Sequence, residues 1–395
     1  MPLSKQEFKD FVTLQRGFDL PKNSMVDGPY PVAGSTSVIG YHSEYKVEGP
    51  GVVTGRSGSL GEVQYIEGNF WAHNTALWVK DFKGNYPRYV YYLLKTLDLK
   101  RFNSGVGVPT LNRNDLDKLE IGVHDFHSQQ VIASILSAYD DLIENNLKRI
   151  KILEGMAQMI YREWFVNFRF PGHEKVKMVK SELGMIPEGW EVKKVQDSFE
   201  IIGGGTPSKD ISEYWDMGNI YWYVPTDLTS SCTMFMEESG SKITEMGLKK
   251  SSARLFPAYS VMMTSRATLG VISINTYEAC TNQGFITCIP NKKFPLYTLY
   301  FWLKENVEKF ISLGTGATFK EITKGVFKKI DIFLPPESLL TDFEKTVTPI
   351  TRQILNLQRK INNARKTRDL LLPKLINGEI DVENINKLET IREDL

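Results

Sequence analysis

Three groupings in this 395-residue chain have the side chains that catalysis or ligand binding would need. Gly203-Gly204-Gly205 has the small residues of a phosphate-cradling loop, but Thr206-Pro207 follows, and a proline there favours a turn over a helix start. His124 and His127 lie close together, as metal ligands do, yet no neighbouring cysteine or histidine completes a ligand set, so the pair reads as solvated. Cys232, Cys280 and Cys288 are an odd number and cannot close a disulfide framework, which fits a reducing cytoplasm. The sequence has no Walker loop, no glycine fingerprint opening a helix, no HExxH, no GxSxG and no nucleophile–base pair at a recognisable spacing. The expectation is a chain with no catalytic residues, no metal site and no cofactor of its own.

The elements that carry these residues are stated twice. Thr54-Gly55-Arg56-Ser57-Gly58-Ser59-Leu60-Gly61 is echoed by Thr264-Ser265-Arg266-Ala267-Thr268-Leu269-Gly270, with the Leu-Gly pairs 209 positions apart. At the same offset Tyr91, Leu94 and Lys95 answer to Tyr300, Leu303 and Lys304, and Gly105-Val106-Gly107 answers to Gly314-Thr315-Gly316. Several matches in one order and register mark a tandem duplication.

Each copy ends in an apolar stripe at heptad spacing. The first contains Leu136, Tyr139, Ile143, Ile150, Leu153 and Ile160. The second contains Val347, Ile350, Ile354, Leu357, Ile361 and Leu371. Steps of four and three sustained for 33 residues predict helices of roughly 50 Å. A seam that narrow is buried most simply against the other seam, as a coiled coil within one chain, with polar Asn146 and Arg368 setting its register.

Between the helices lie stretches rich in Gly, Pro and aromatic residues. Short β-prone runs are Gly51–Thr54, Ala76–Val79, Val271–Ile274 and Phe285–Cys288, and short helices are expected near 87–101 and 295–311. Tyr214, Trp215, Tyr221 and Trp222 read as core. The fold class is therefore α+β: two similar β-containing domains separated by two long antiparallel helices that form an intramolecular coiled coil, with pseudo-two-fold symmetry. The expected segments are a first domain over 1–127, a first helix over 128–168 and a linker over 169–189. A second domain over 190–336, a second helix over 337–377 and an acidic tail over 378–395 complete the chain.

Composition limits the function without selecting it. The 48 Lys+Arg nearly balance 47 Asp+Glu, so DNA binding has to be argued from architecture and not from net charge. The tail has six acids and two bases, which leaves a weak basic excess on the rest. No apolar run approaches the length of a membrane span, and the N-terminus has no apolar core of a signal peptide, so a cytoplasmic protein is expected.

Met185-Ile186-Pro187-Glu188-Gly189-Trp190-Glu191-Val192, followed by Ile201-Ile202-Gly203-Gly204-Gly205-Thr206-Pro207-Ser208-Lys209, resembles the opening of a target recognition domain in the specificity (S) subunits of type I restriction-modification systems. The paired arginine and leucine-glycine loops, Ser128-Gln129-Gln130 at the start of the first long helix, and the order of two domains and two helices are similar to that family over nearly the whole chain. The first copy departs from the pattern, starting at Phe8-Lys9-Asp10-Phe11. The second helix opens through Pro335-Pro336-Glu337-Ser338 without a glutamine pair.

The resemblance implies a non-catalytic subunit that reads double-stranded DNA at a bipartite, asymmetric target. It also implies two methyltransferase (M) subunits and two restriction/translocase (R) subunits as partners. S-adenosylmethionine, ATP and Mg2+ would then belong to those partners. Loop residues with forked, amide or phosphate-seeking donors are the expected readers. In the first domain these are Arg16, Lys22, Arg56, Ser57, Asn112 and Arg113, and in the second Thr206, Lys209, Arg266, Thr268, Lys320 and Lys324. The alternative is a bivalent protein-interaction scaffold that never touches DNA. Arg56 and Arg266 have a structural reading as well, pairing with the carbonyls of the turns that end at Gly61 and Gly270.

Overall fold

The computed structural model describes residues 3–105, 107–316 and 320–382. Val106, at the centre of one repeat match, and Glu383–Leu395, most of the acidic tail, lie outside the described residues. The chain divides into two compact units, Met1–Asn145 with Ile361–Leu395, and Asn146–Lys360. Each long helix therefore contributes a segment to both units.

The first unit is closed by its own ends. Strand β1 (Ser4–Glu7) pairs antiparallel with β9 (Glu120–Val123), and the one-turn helix α1 (Phe8–Phe11) buries both of its phenylalanines. A four-stranded sheet runs in the order β2 (Thr13–Arg16), β8 (Ala76–Asp81), β5 (Gly51–Gly55) and β6 (Val63–Ile66). A second sheet places β4 (Val38–His42) and β7 (Trp71–Ala72) on either side of β3 (Tyr30–Ala33). Helix α2 (Pro87–Thr96) buries Tyr89, Val90, Tyr92, Leu93 and Leu94, and its first turn carries the proline that suits an unpaired N–H. Short α3 (Arg113–Asp117) precedes β9.

The second unit repeats the plan. Strand β12 (Glu191–Lys194) pairs with β21 (Asp331–Leu334), and α5 (Val195–Ser198) stands where α1 stands, Val195 answering to Phe8. Its main sheet has five strands, in the order β13 (Glu200–Gly203), β20 (Phe285–Ile289), β17 (Val261–Thr264), β18 (Ile272–Asn275) and β15 (Phe235–Met236). The smaller sheet sets β16 (Ser241–Ile243) and β19 (Ala279–Thr281) against β14 (Ile220–Tyr223). Helices α6 (Pro225–Ser231) and α7 (Glu245–Lys249) lie in this region; α8 (Leu296–Glu305), α9 (Val307–Leu313) and α10 (Lys324–Lys328) follow. The segment read as a linker holds a hairpin of β10 (Met178–Ser181) and β11 (Gly184–Pro187). Phe170, Ile186 and Trp190 from this stretch enter the core of the second unit.

The heptad stripes form α4 (Phe126–Tyr161), extended by a π-helical turn over Arg162–Val166, and α11 (Glu337–Ile376). In the first unit Ile132, Ala133 and Leu136 of α4 share a core with Leu371, Leu372, Leu375 and Ile376 of α11. In the second, Ile150, Leu153, Ala157, Ile160 and Tyr161 of α4 share one with Phe343, Val347, Ile350 and Ile354 of α11. Ile143, Leu357 and Ile361 are buried and Tyr139 is half-buried. The two stripes thus cover one another within each unit, as mutual burial of narrow apolar seams requires. Asn146 is buried. Arg368 leaves the apolar stripe for an ion pair with Asp140.

Candidate nucleic-acid interface

In the first unit four of the six expected readers meet. Arg16, at the end of β2, Arg56, just after β5, and Asn112 and Arg113, at the start of α3, line one open groove of about 800 Å³ with Gln15 and Asp19. Acceptors hold each guanidinium by a fraction of its donors. Arg16 Nη2 donates to Asp19 Oδ1 at 3.1 Å, Arg56 Nη1 to the Asn74 carbonyl at 3.2 Å, and Arg113 Nη1 to the Leu14 carbonyl at 3.4 Å. The Asn74 amide donates to Asp19, and this bond, aided by the charge of Arg16, holds the Asp19 carboxyl below its ordinary pKa. An arginine has five N–H donors in a fixed fork, so each retains donors for a phosphate or a base edge while the bond already made restrains the side chain. Asn112 caps α3, its Oδ1 accepting from Asn114 N–H at 3.1 Å. That leaves its amide NH2 as the donor it can offer to a ligand.

Lys22 and Ser57 are not brought to this groove. Lys22 sits exposed on a separate 3-10 turn, and Ser57 is half-buried in a bridge to Thr110. Sequence reading missed Gln15, Asp19 and Asn74. Asp19 and Asn74 matter because they orient arginines, and residues 55 positions apart leave no spacing signal.

In the second unit Thr206 and Arg266 meet the loop between β19 and β20, and Lys324 lies over the end of β13. Thr206 Oγ1 donates to Gln283 Oε1 at 2.7 Å, a partner the sequence did not reveal. The Arg266 side chain crosses Gly284 and that of Lys324 crosses Gly203, each near enough that an added Cβ would touch it. Lys209, Thr268 and Lys320 are exposed.

The arginine loops are equivalent, but their arginines are not. Arg56 N–H donates to the Thr75 carbonyl at 2.9 Å, and the matching bond runs from Ser265 N–H to the Gly284 carbonyl at 2.8 Å. The carbonyl of Arg56 accepts from Leu111, and that of Ser265 from Ile322. Gly58 and Ala267 both have positive φ, at 89° and 60°, as do Gly61 and Gly270, at 92° and 95°. Arg56 therefore answers to Ser265, and Arg266 to Ser57. Successive side chains on extended backbone point to opposite faces, so Arg56 turns half-buried toward Asn74 while Arg266 stays exposed. Arg56 and Arg266 are 210 positions apart where the Leu-Gly pairs are 209 apart, and the hydrogen-bond pattern shows that the 209 offset is the structural one.

Two other expectations change. His124 is not solvated: it is buried, and its Nε2 donates to the carbonyls of Leu375 at 2.9 Å and Ile376 at 3.2 Å, closing the last turn of α11. Burial lowers its pKa against the opposing pull of those carbonyls. His127 is exposed. The triple glycine serves backbone packing, since a Cβ on Gly204 would lie 2.0 Å from the Asn282 carbonyl oxygen. Of the four aromatics read as core, Trp222 is buried and Tyr214, Trp215 and Tyr221 are half-buried. The two indoles pin the loop that follows the glycines, Trp222 Nε1 donating to the Gly205 carbonyl and Trp215 Nε1 to that of Ser208, each at 2.9 Å.

The chain is a duplicated α+β protein with guanidinium, ammonium and amide donors on loops of both copies. The family described as type I restriction modification DNA specificity domain matches residues 4–154 and 187–363, and the chain belongs to that family. The type I restriction enzyme MjaIX specificity subunit of Methanocaldococcus jannaschii is 30% identical over 314 residues, spanning 76% of this chain and 71% of the relative. The HindI specificity subunit of Haemophilus influenzae is 26% identical over 333 residues, spanning 69% of this chain and 71% of the relative. The crystal structure of a type I S subunit from M. genitalium shares the fold, with a TM-score of 0.62 at 17% identity over 94% of this chain and 96% of that one. Among the described residues no helix is long and apolar enough to cross a membrane.

Proposed function

We propose that this chain is the non-catalytic DNA-reading subunit of a type I restriction-modification complex, recognising a target split into two different half-sites. The observation that carries this reading is the convergence of Arg16, Arg56, Asn112 and Arg113 on one groove of a member of this family. The groove is open, and its donors are of the kind that fork onto guanine or bind phosphate oxygens. The second unit presents a different set, Thr206, Arg266 and Lys324, on displaced backbone positions. Unequal heads of this kind suit an asymmetric target. The repeated fold offers one kind of partner surface twice, which suits two M subunits, with two R subunits completing the assembly. S-adenosylmethionine belongs to the former, and ATP and Mg2+ to the latter. The number of heptads in the paired helices sets the spacer between half-sites.

Titration of duplex binding against salt tests the reading. The logarithm of the binding constant should fall linearly with the logarithm of salt, with a slope that shrinks by about one for each phosphate-contacting lysine or arginine removed. Salt-independent binding, or none to any duplex in the presence of M subunits, would favour a protein-only scaffold.

A further inference from the structure

The two main sheets differ at one edge. In the second unit β18 is covered by β15, which runs parallel to it with Phe235 opposite Ile274 and Met236 opposite Asn275. Ile274 N–H donates to the Met234 carbonyl at 2.8 Å and Thr276 N–H to the Met236 carbonyl at 3.0 Å. Helix α11 locks this strand in place: Gln358 Nε2 donates to the Phe235 carbonyl at 3.1 Å, and Phe235 N–H to Gln358 Oε1 at 3.3 Å.

In the first unit β6 holds the place of β18, Tyr65 answering to Ile274 and Glu67 to Thr276. Among the described residues β6 pairs with β5 alone. The connection that supplies β15 in the second unit is too short here: β3 and β4 are joined by the tight turn over Gly34–Ser37, whereas the connection from β14 to β16 carries α6 and β15. Gly55 N–H donates to the Glu62 carbonyl, which sets the phase of the ladder: residues 62, 64 and 66 bond to β5, and 63, 65 and 67 turn their backbone outward.

Exposed edges are normally blunted by lysine, proline or a bulge. Val63-Gln64-Tyr65-Ile66 has none of these, and its register with β5 is unbroken. The borders are acidic. The Arg88 guanidinium lies over the Tyr65 ring at 4.3 Å, between Glu67 at 3.7 Å and Asp141 of α4 at 3.8 Å, and Glu62, Glu67 and Asp141 are exposed. Two carboxylates, Glu67 and Asp141, thus face one guanidinium, and Glu62 adds a third acid at the other end of the strand.

We propose that the β6 edge is a docking site for an extended segment of a partner polypeptide, three adjacent apolar residues bordered by lysine or arginine, which adds as a parallel strand where β15 lies in the second unit. Main-chain bonds to Tyr65 and Glu67 hold it, and the acidic border selects its flanks. The proposal does not depend on the DNA-reading assignment.

Hydrogen exchange on the full chain tests it, with the peptide Lys-Thr-Met-Phe-Met-Lys-Lys as probe. Saturating peptide should slow exchange at Tyr65 and Glu67 on the order of tenfold or more. Asp141→Lys and Glu67→Lys should each weaken peptide binding several-fold while leaving the melting temperature of the free chain nearly unchanged. The same peptide with proline in place of phenylalanine should give no protection. Unchanged exchange at both amides, or equal protection by the proline peptide, overturns the proposal. So does protection in the free chain that grows with its concentration, which would assign the edge to a second copy.

Discussion

Arg368 of α11 reaches Asp140 of α4, Nη1 to Oδ1 at 2.6 Å, with both side chains less than a fifth exposed. The same carboxylate accepts the Tyr92 hydroxyl at 2.5 Å, so one acid joins α2, α4 and α11 within the first unit. The Asp140 carboxylate neutralises the guanidinium, which is why the arginine is tolerated in an otherwise hydrophobic stripe. Arg368→Ala leaves a largely desolvated carboxylate without its cation and should cost about 1–3 kcal/mol in urea unfolding. Arg368→Ala combined with Asp140→Asn should cost less than the sum of the single changes. Strict additivity would show that the pair is not coupled.

His124 gives the first unit a pH dependence of definite sign. Its folded-state pKa lies below the unfolded value, burial being the largest cause. The unfolded chain therefore binds the proton more readily, and stability is full above the unfolded pKa of about 6.5 and declines as pH falls through the folded one. His124→Gln can still donate to the Leu375 carbonyl but does not titrate, so its melting temperature should fall less between pH 7 and pH 5 than that of the parent chain. Parallel curves would exclude this histidine as the source.

Glu344 tests how α11 is joined to the second domain. Its Oε1 accepts Thr298 N–H at 2.8 Å and Thr298 Oγ1 at 2.9 Å, capping α8, and burial raises its pKa. A raised carboxyl pKa means that the folded state holds the proton more tightly, so this residue's contribution weakens as pH rises from the unfolded pKa through the folded one. Glu344→Gln keeps an acceptor without a charge and should be neutral or stabilising at pH 7. Glu344→Ala should lose about 1–2 kcal/mol through the cap. Equal losses for both would mean that the charge, and not the acceptor, matters.

The register of the arginine loops predicts an unequal pair of effects on DNA binding. Arg56→Ala should cost about 1–3 kcal/mol in specific binding and relax preference at one position of the first half-site. In the second copy the corresponding change is Arg266→Ala, whereas Ser265→Ala, at the true equivalent of Arg56, should have little effect. Competition binding with single-base variants of the target gives both readouts, and a target preference unchanged in Arg56→Ala would remove that residue from the reading site.

Features carried by local repetition were legible in the residues. A seven-residue apolar period persists regardless of what packs on it, so α4 together with its π-helical turn, and α11, could be placed to within a few residues of their ends. Short β-rich runs marked β5, β8, β18 and β20, and Leu-Gly pairs at a constant offset revealed the duplication. Site residues were harder to read. Arg16, Arg56, Asn112 and Arg113 were named as individual donors, and nothing in their order shows that they share a groove.

What the linear chain determined by itself was the duplication, the α+β class and the two long helices, because each rests on interactions between near neighbours or on periodic burial. Tertiary structure alone decided that His124 closes α11, that Gly204 makes room for a carbonyl and that β6 has no covering strand among the described residues. These depend on backbone hydrogen bonds between residues far apart in sequence, and the partner of such a bond is set by the folded path, not by residue type.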